Sequence, residues 1–80
     1  MAPPTTLLEN RQQMAAVVAS ALAEAGVAQR TASDRTGIPM TTLRRRLTGN
    51  AAFDLDELAL LGALVGLSIA DLVARANQAA

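Results

Sequence analysis

Three consecutive arginines, Arg44, Arg45 and Arg46, lie within the stretch IPMTTLRRRLTGN (residues 38–50) of a chain whose formal net charge is zero. A guanidinium is a planar, permanently charged fork of donors. It pairs with phosphate oxygens and donates two hydrogen bonds to a guanine edge in a major groove. Thr41, Thr42 and Thr48 share the stretch. Each offers a hydroxyl and a methyl, which suit a phosphate or the methyl of thymine. Neighbouring like charges repel, so the run needs either an anionic partner or open water. The choice depends on where each side chain points.

Consecutive helical residues turn by about 100°. Leu43 and Leu47 fall one turn apart, and their midpoint defines the inward direction. Arg45 then lies roughly 180° away, with Arg44 and Arg46 about 80° to either side of inward. Thr41 and Thr48 fall on the Arg44 side and Thr42 on the Arg46 side. The outward stripe is therefore Thr41, Arg44, Arg45 and Thr48, flanked by Arg46 and Thr42. Such a helix fits a groove with phosphates on both walls. A solvated helix face explains the arginines equally well, because cations also stabilise a helix C-terminus.

The charge is unevenly spread. Residues 1–27 hold Glu9, Arg11 and Glu24, net −1. Residues 28–50 hold Arg30, Arg35, Arg44, Arg45 and Arg46 against Asp34, net +4. Residues 51–80 hold Asp54, Asp56, Glu57 and Asp71 against Arg75, net −3. A basic centre lies between acidic ends, a pattern the zero total conceals.

Other chemistry is scarce. The chain has no histidine and no cysteine. That removes imidazole acid–base catalysis, disulfides and zinc sites of the Cys/His type. There is no glycine loop to cradle a nucleotide phosphate. Asp54, Asp56 and Glu57 could suggest a metal, but the start of a helix explains all three. The expectation is a protein that is not an enzyme, with no cofactor, no metal and no small-molecule substrate.

The elements that position the arginines follow from caps and spacing. With 80 residues, 51% of them hydrophobic and Phe53 the only aromatic, the chain makes one small aliphatic domain. Alanine, its commonest residue, favours helix. Residues 1–5 are expected to be a disordered lead. A first helix runs from Thr6 to Ala25, opened by the capping-box pattern Thr6-Leu7-Leu8-Glu9 and carrying Leu7, Met14, Val18, Ala21, Leu22 and Ala25 inward. A second spans Ala28–Thr36 and stops at Gly37. A third runs from Pro39 or Met40 to Leu47, with Pro39 suited to a first turn and Gly49-Asn50 closing it. A fourth starts at Asp54, buries Leu58, Leu61, Leu64 and Val65, and ends at Gly66. A fifth starts at Ser68, followed by Ile69, Leu72, Val73 and Ala76. Residues 78–80 are expected to fray. Leu22, Ile38, Leu43, Leu47, Phe53, Leu58, Leu61, Leu64 and Met14 are the expected core. The stretch MAAVVASALA (14–23) has a signal-peptide flavour, but the residues before it make a poor positively charged region. It is too short to span a bilayer, so no membrane partner and a cytoplasmic location are expected.

The arrangement from Gln29 to Gly49 resembles the helix-turn-helix of Cro/C1-type repressors, the xenobiotic-response-element family. Gln29 opens the first motif helix, Ser33 is the small central residue, Gly37 the turn glycine and Ile38 the buried aliphatic after it. Leu43 is the inward residue of the second helix, and Gly49 closes it. The segment FDLDELALLGALVGLSIADLVARA is similar to the fourth and fifth helices of such domains. Two positions depart from the pattern: Arg46 stands where a second aliphatic is usual, and Ala32 where a larger one is common.

The resemblance implies an all-α, five-helix, lambda-repressor-like domain over residues 6–77, with its motif at about 28–49. It implies double-stranded DNA as partner. Met40, Thr41, Arg44 and Arg45 would read bases. Gln29, Arg30, Thr42, Arg46, Thr48 and Asn50 would touch phosphates. Met40 could equally be core, since it lies about 40° from inward. The implied function is a small phage-type transcriptional repressor on a palindromic operator, with the fifth helix as a candidate dimer face; helical geometry makes Leu72 either its contact or, equally, a core residue. The alternatives are a protein-interaction module, such as an antirepressor or adaptor, that keeps the fold without specific DNA binding, and a recombination accessory factor.

Overall fold

The computed structural model describes residues 7–79, which form five α-helices: α1 Leu7–Glu24, α2 Gln29–Thr36, α3 Met40–Leu47, α4 Leu55–Val65 and α5 Ile69–Ala79. No strand occurs among the described residues, so the fold is all-α. The expected lead at residues 1–5 and the Thr6 cap lie outside them. The radius of gyration is 11.7 Å, close to the roughly 12 Å of a compact chain this long.

The helices pack in a layered ring. α1 lies against α3, α4 and α5, while α2 touches α3 and α4. Because α1 serves three neighbours, its buried arc is wider than a single stripe. Ala15 and Val17 join Val18, Ala21 and Leu22 in the core, whereas Ala25, expected inward, is exposed just past the helix end. The stretch with signal-peptide flavour is thus the core-facing middle of α1. Leu43, Leu61 and Leu72 are the largest side chains excluded from solvent, with Val18 beside them. Each fully buried aliphatic contributes about 1.5–3 kcal/mol of transfer free energy. Met14, Leu47, Phe53 and Leu64 pack on this core half-buried.

Two glycines explain two approaches. Gly37 caps α2 at φ 79°, a left-handed turn residue that lets α3 start at once. Gly62 is in ordinary helix, but a Cβ there would meet the Leu67 carbonyl oxygen head-on and press on Leu72. It is the contact across which α4 and the start of α5 approach.

Leu72 requires a correction. As a candidate dimer contact it should face outward, yet it is 1% exposed, and Val73 is the outward apolar residue of α5. Since α5 packs on both α1 and α4, it buries Leu72 and Ala76 together with part of Ile69. α5 extends to Ala79. No single helix among the described residues is long and apolar enough to cross a membrane.

Candidate nucleic-acid interface

The turn between α2 and α3 is locked by side chains. The Gly37 N–H donates to the Ser33 carbonyl at 2.9 Å, and the Ser33 hydroxyl donates to the Ile38 carbonyl at 2.6 Å. Thr36 donates its hydroxyl to the Ala32 carbonyl at 2.6 Å and accepts the Ile38 N–H at 3.3 Å. Ile38 and Ala32 are buried beneath. Small Ala32, with no exposed surface, is what lets α2 sit close to its neighbours. The two short helices are therefore fixed to each other by hydrogen bonds as much as by apolar contact.

On α3, Leu43 is fully buried and Leu47 half-buried against the core. That is the inward direction the spacing predicts. Thr41, Arg44, Arg45 and Thr48 are all exposed. Arg44 and Arg45 have no ion-pair partner among the described residues, and neither have Arg30 and Arg35 on α2. Met40 is half-buried and is not one of the side chains packed on the core cluster, so it stands at the leading end of α3 beside Thr41. Thr42 is half-buried.

The starts of the two motif helices are chemically bare. α2 begins at Gln29 after Ala28, which has no side chain able to cap. α3 begins at Met40 after Pro39, the N-cap residue rather than a first-turn one, again with no side-chain cap. Their first-turn N–H groups are left to solvent or to an anion. Gln29 and Arg30 are exposed at the α2 start.

Three expected phosphate contacts sit differently from the rest. Arg46 donates its Nε–H to Glu57 Oε1 at 2.9 Å. The two side chains are 24% and 12% exposed, so this arginine is already engaged inside the protein. The Thr48 hydroxyl donates to the Arg45 carbonyl at 3.1 Å. A hydroxyl has one proton, and here it finishes the helix rather than reaching outward. Asn50 is exposed, while its main-chain N–H closes α3 on the Arg45 carbonyl at 3.1 Å. Gly49 rests on Gln12 of α1, where a Cβ would come 3.1 Å from Gln12 Cγ. Spacing alone does not reveal the tie to Glu57, because it joins residues of two helices. The available signal was the placement of one arginine where an aliphatic is usual.

No protein-family profile matches the chain, and no curated protein sequence is similar to it. Among solved structures, it is similar to the crystal structure of the clp gene regulator ClgR from Corynebacterium glutamicum, with a TM-score of 0.83. The identity is 23%, over 96% of this chain and 79% of the other. The two therefore share a fold across nearly the whole of the described domain.

Proposed function

We propose that the chain is a sequence-specific double-stranded-DNA-binding transcriptional regulator of the Cro/C1 kind, a small repressor that places α3 in the major groove. The observation that carries this is the state of Arg44 and Arg45. They are exposed and without an ion-pair partner among the described residues, on a helix that the fully buried Leu43 holds against the core. Thr41 and Met40 lead that helix into the groove, and Arg44 and Arg45 read base edges. Gln29, Arg30 and the uncapped N–H groups of α2 take a phosphate. Thr42 and Asn50 are secondary backbone contacts. Thr48 reaches a phosphate only by giving up its bond to the helix. The likeness to a protein named as a gene regulator supports the same reading.

A single module of this size presents little contact surface. A two-fold dimer on half-sites about 34 Å apart is the matching arrangement. On α5, Val73 is the residue available for it. Control is then steric, by occupancy of an operator.

One observation favours a second reading. Leu55 and Leu60 of α4 are 69% and 47% exposed, large apolar side chains of the kind that other proteins cover. A protein-interaction module would use that side and leave DNA alone. Selection of bound sequences from a randomised duplex library separates the two. The proposal expects enrichment of a palindrome. Recovery of sequences no different from the starting pool would overturn it.

A further inference from the structure

Of the three consecutive arginines, the protein holds one. Arg46 Nε–H reaches Glu57 Oε1 at 2.9 Å, and the same oxygen accepts the Asp54 N–H at 3.0 Å. Glu57 in turn donates its own N–H to Asp54 Oδ1 at 2.7 Å. One carboxylate oxygen thus joins the flank of α3 to the first turn of α4. The carboxylate is mostly shielded from solvent, with the Glu57 side chain 12% exposed.

α3 needs such a tie. It has eight residues, and only Leu43 is fully buried, with Leu47 half-buried behind it. Two apolar contacts on one line fix a helix's distance from the core but oppose roll about its axis weakly, and the hydrogen-bonded turn to α2 holds only its start. Side chains extend about 5–6 Å from a helix axis, so a roll of about 20° displaces an outward tip by roughly 2 Å. Hydrogen-bonded readout of a base edge does not tolerate that displacement. Arg46 leaves the helix on the flank, about 80° from the inward line, where a tether opposes roll best. A charge-assisted bond from a guanidinium is short and directional.

We propose that Glu57 is a specificity-determining positioning residue: through Arg46 it sets the roll of α3, so that Arg44 and Arg45 meet base edges in register. Arg46 is on this account a tether, not a phosphate contact. The proposal rests on the DNA-binding reading above.

The test compares two labelled duplexes, one recovered by selection from a randomised library and one of random sequence. The variants are Arg46→Met, which keeps length and apolar contact, and Glu57→Gln. The latter keeps an acceptor for the Asp54 N–H, since Gln serves in capping boxes, so α4 retains its start, while the bond from Arg46 loses its anionic partner. Thermal melts followed by circular dichroism establish that each variant folds. Each is expected to lose roughly three- to tenfold in affinity for the selected duplex and to bind the random duplex as wild type does. The double variant should lose no more than the worse single, because both act on one interaction. The proposal is overturned if neither variant lowers the ratio of the two affinities. It is equally overturned if Arg46→Met weakens both duplexes alike and lowers the slope of log affinity against log salt by about 0.9, the signature of one lost phosphate contact. Wild-type protein that fails to distinguish the duplexes would instead remove the DNA reading itself.

Discussion

The two halves of this small domain begin their helices in opposite ways. α2 and α3 follow Ala28 and Pro39 and start without a side-chain cap. α4 starts inside a reciprocal box between Asp54 and Glu57, and α5 inside another between Ser68 and Asp71. The uncapped pair carries five arginines and one aspartate between residues 28 and 50, and the capped pair carries four acids and one arginine beyond residue 50. A capped start is worth about 0.5–2 kcal/mol, so the bare half forgoes stability that the other half takes. The forgone caps leave first-turn N–H groups without side-chain partners in the half that also carries the exposed arginines. Stabilising caps are gathered in α4 and α5, with α1 packed against both halves, and the proposed contact surface is left to α2 and α3.

The largest effect expected from probing this division is at its anchors. Leu43→Ala and Leu61→Ala each remove a side chain at or below 1% exposure, and each should cost about 2–5 kcal/mol in chemical denaturation. If the halves form one cooperative unit, both variants will unfold in a single transition. Separate transitions would show the basic half to be an independent, weaker unit.

Next in size is the contact surface itself. Arg45→Ala should cost about 1–3 kcal/mol of DNA affinity and relax base preference. Its stability should change by no more than about 0.5 kcal/mol, because the side chain is exposed and unpaired. Arg75→Ala is the matched control. Arg75 pairs with Glu24 at 3.5 Å, and its loss should leave affinity unchanged in a gel-shift assay. Equal losses in the two variants would reduce the effect to total charge.

A third variant addresses the caps. Ala28→Asp gives α2 the cap it lacks and should raise stability by about 0.5–2 kcal/mol. It also sets a carboxylate where a phosphate is proposed to dock, so affinity for duplex DNA should fall while the melting temperature rises. Movement of the two quantities in the same direction would contradict the division of labour.

The smallest effect is in the acidic half. The Ser68 backbone N–H, then the Ser68 hydroxyl, and to a lesser degree Arg75 hold the Asp71 carboxyl below the ordinary aspartate value of 3.8. A carboxyl with a lowered folded pKa stabilises the fold above its unfolded pKa and loses that contribution as pH falls through the folded value. Asp71→Asn should therefore flatten the decline of melting temperature at acid pH, below about 4. DNA binding at neutral pH should be unaffected.

Much of this organisation was legible in the residue order because it is local. Gly37, Gly66, Asp54 and Ser68 act within a turn of their own helices, and the starts and stops they predict match to within a residue. The outward stripe on α3 follows from two leucines one turn apart. What the order concealed is set by packing partners. Leu72 points inward because α1 and α4 close on α5 from two sides, which a single-helix periodicity cannot report. Ala15 and Val17 are buried for the same reason on α1. The Arg46–Glu57 bond depends on how α3 meets α4. The Thr48 hydroxyl turns back to its own helix, a choice that composition leaves open between protein and partner.

The most direct measurement is a titration of isotopically labelled protein with duplex DNA at low salt, followed through backbone amide resonances. The proposed interface predicts perturbations concentrated at Gln29, Arg30 and residues 40–50, with the outer face of α4 unmoved. Perturbations centred on Leu55 and Leu60, or none at any duplex concentration, would contradict it.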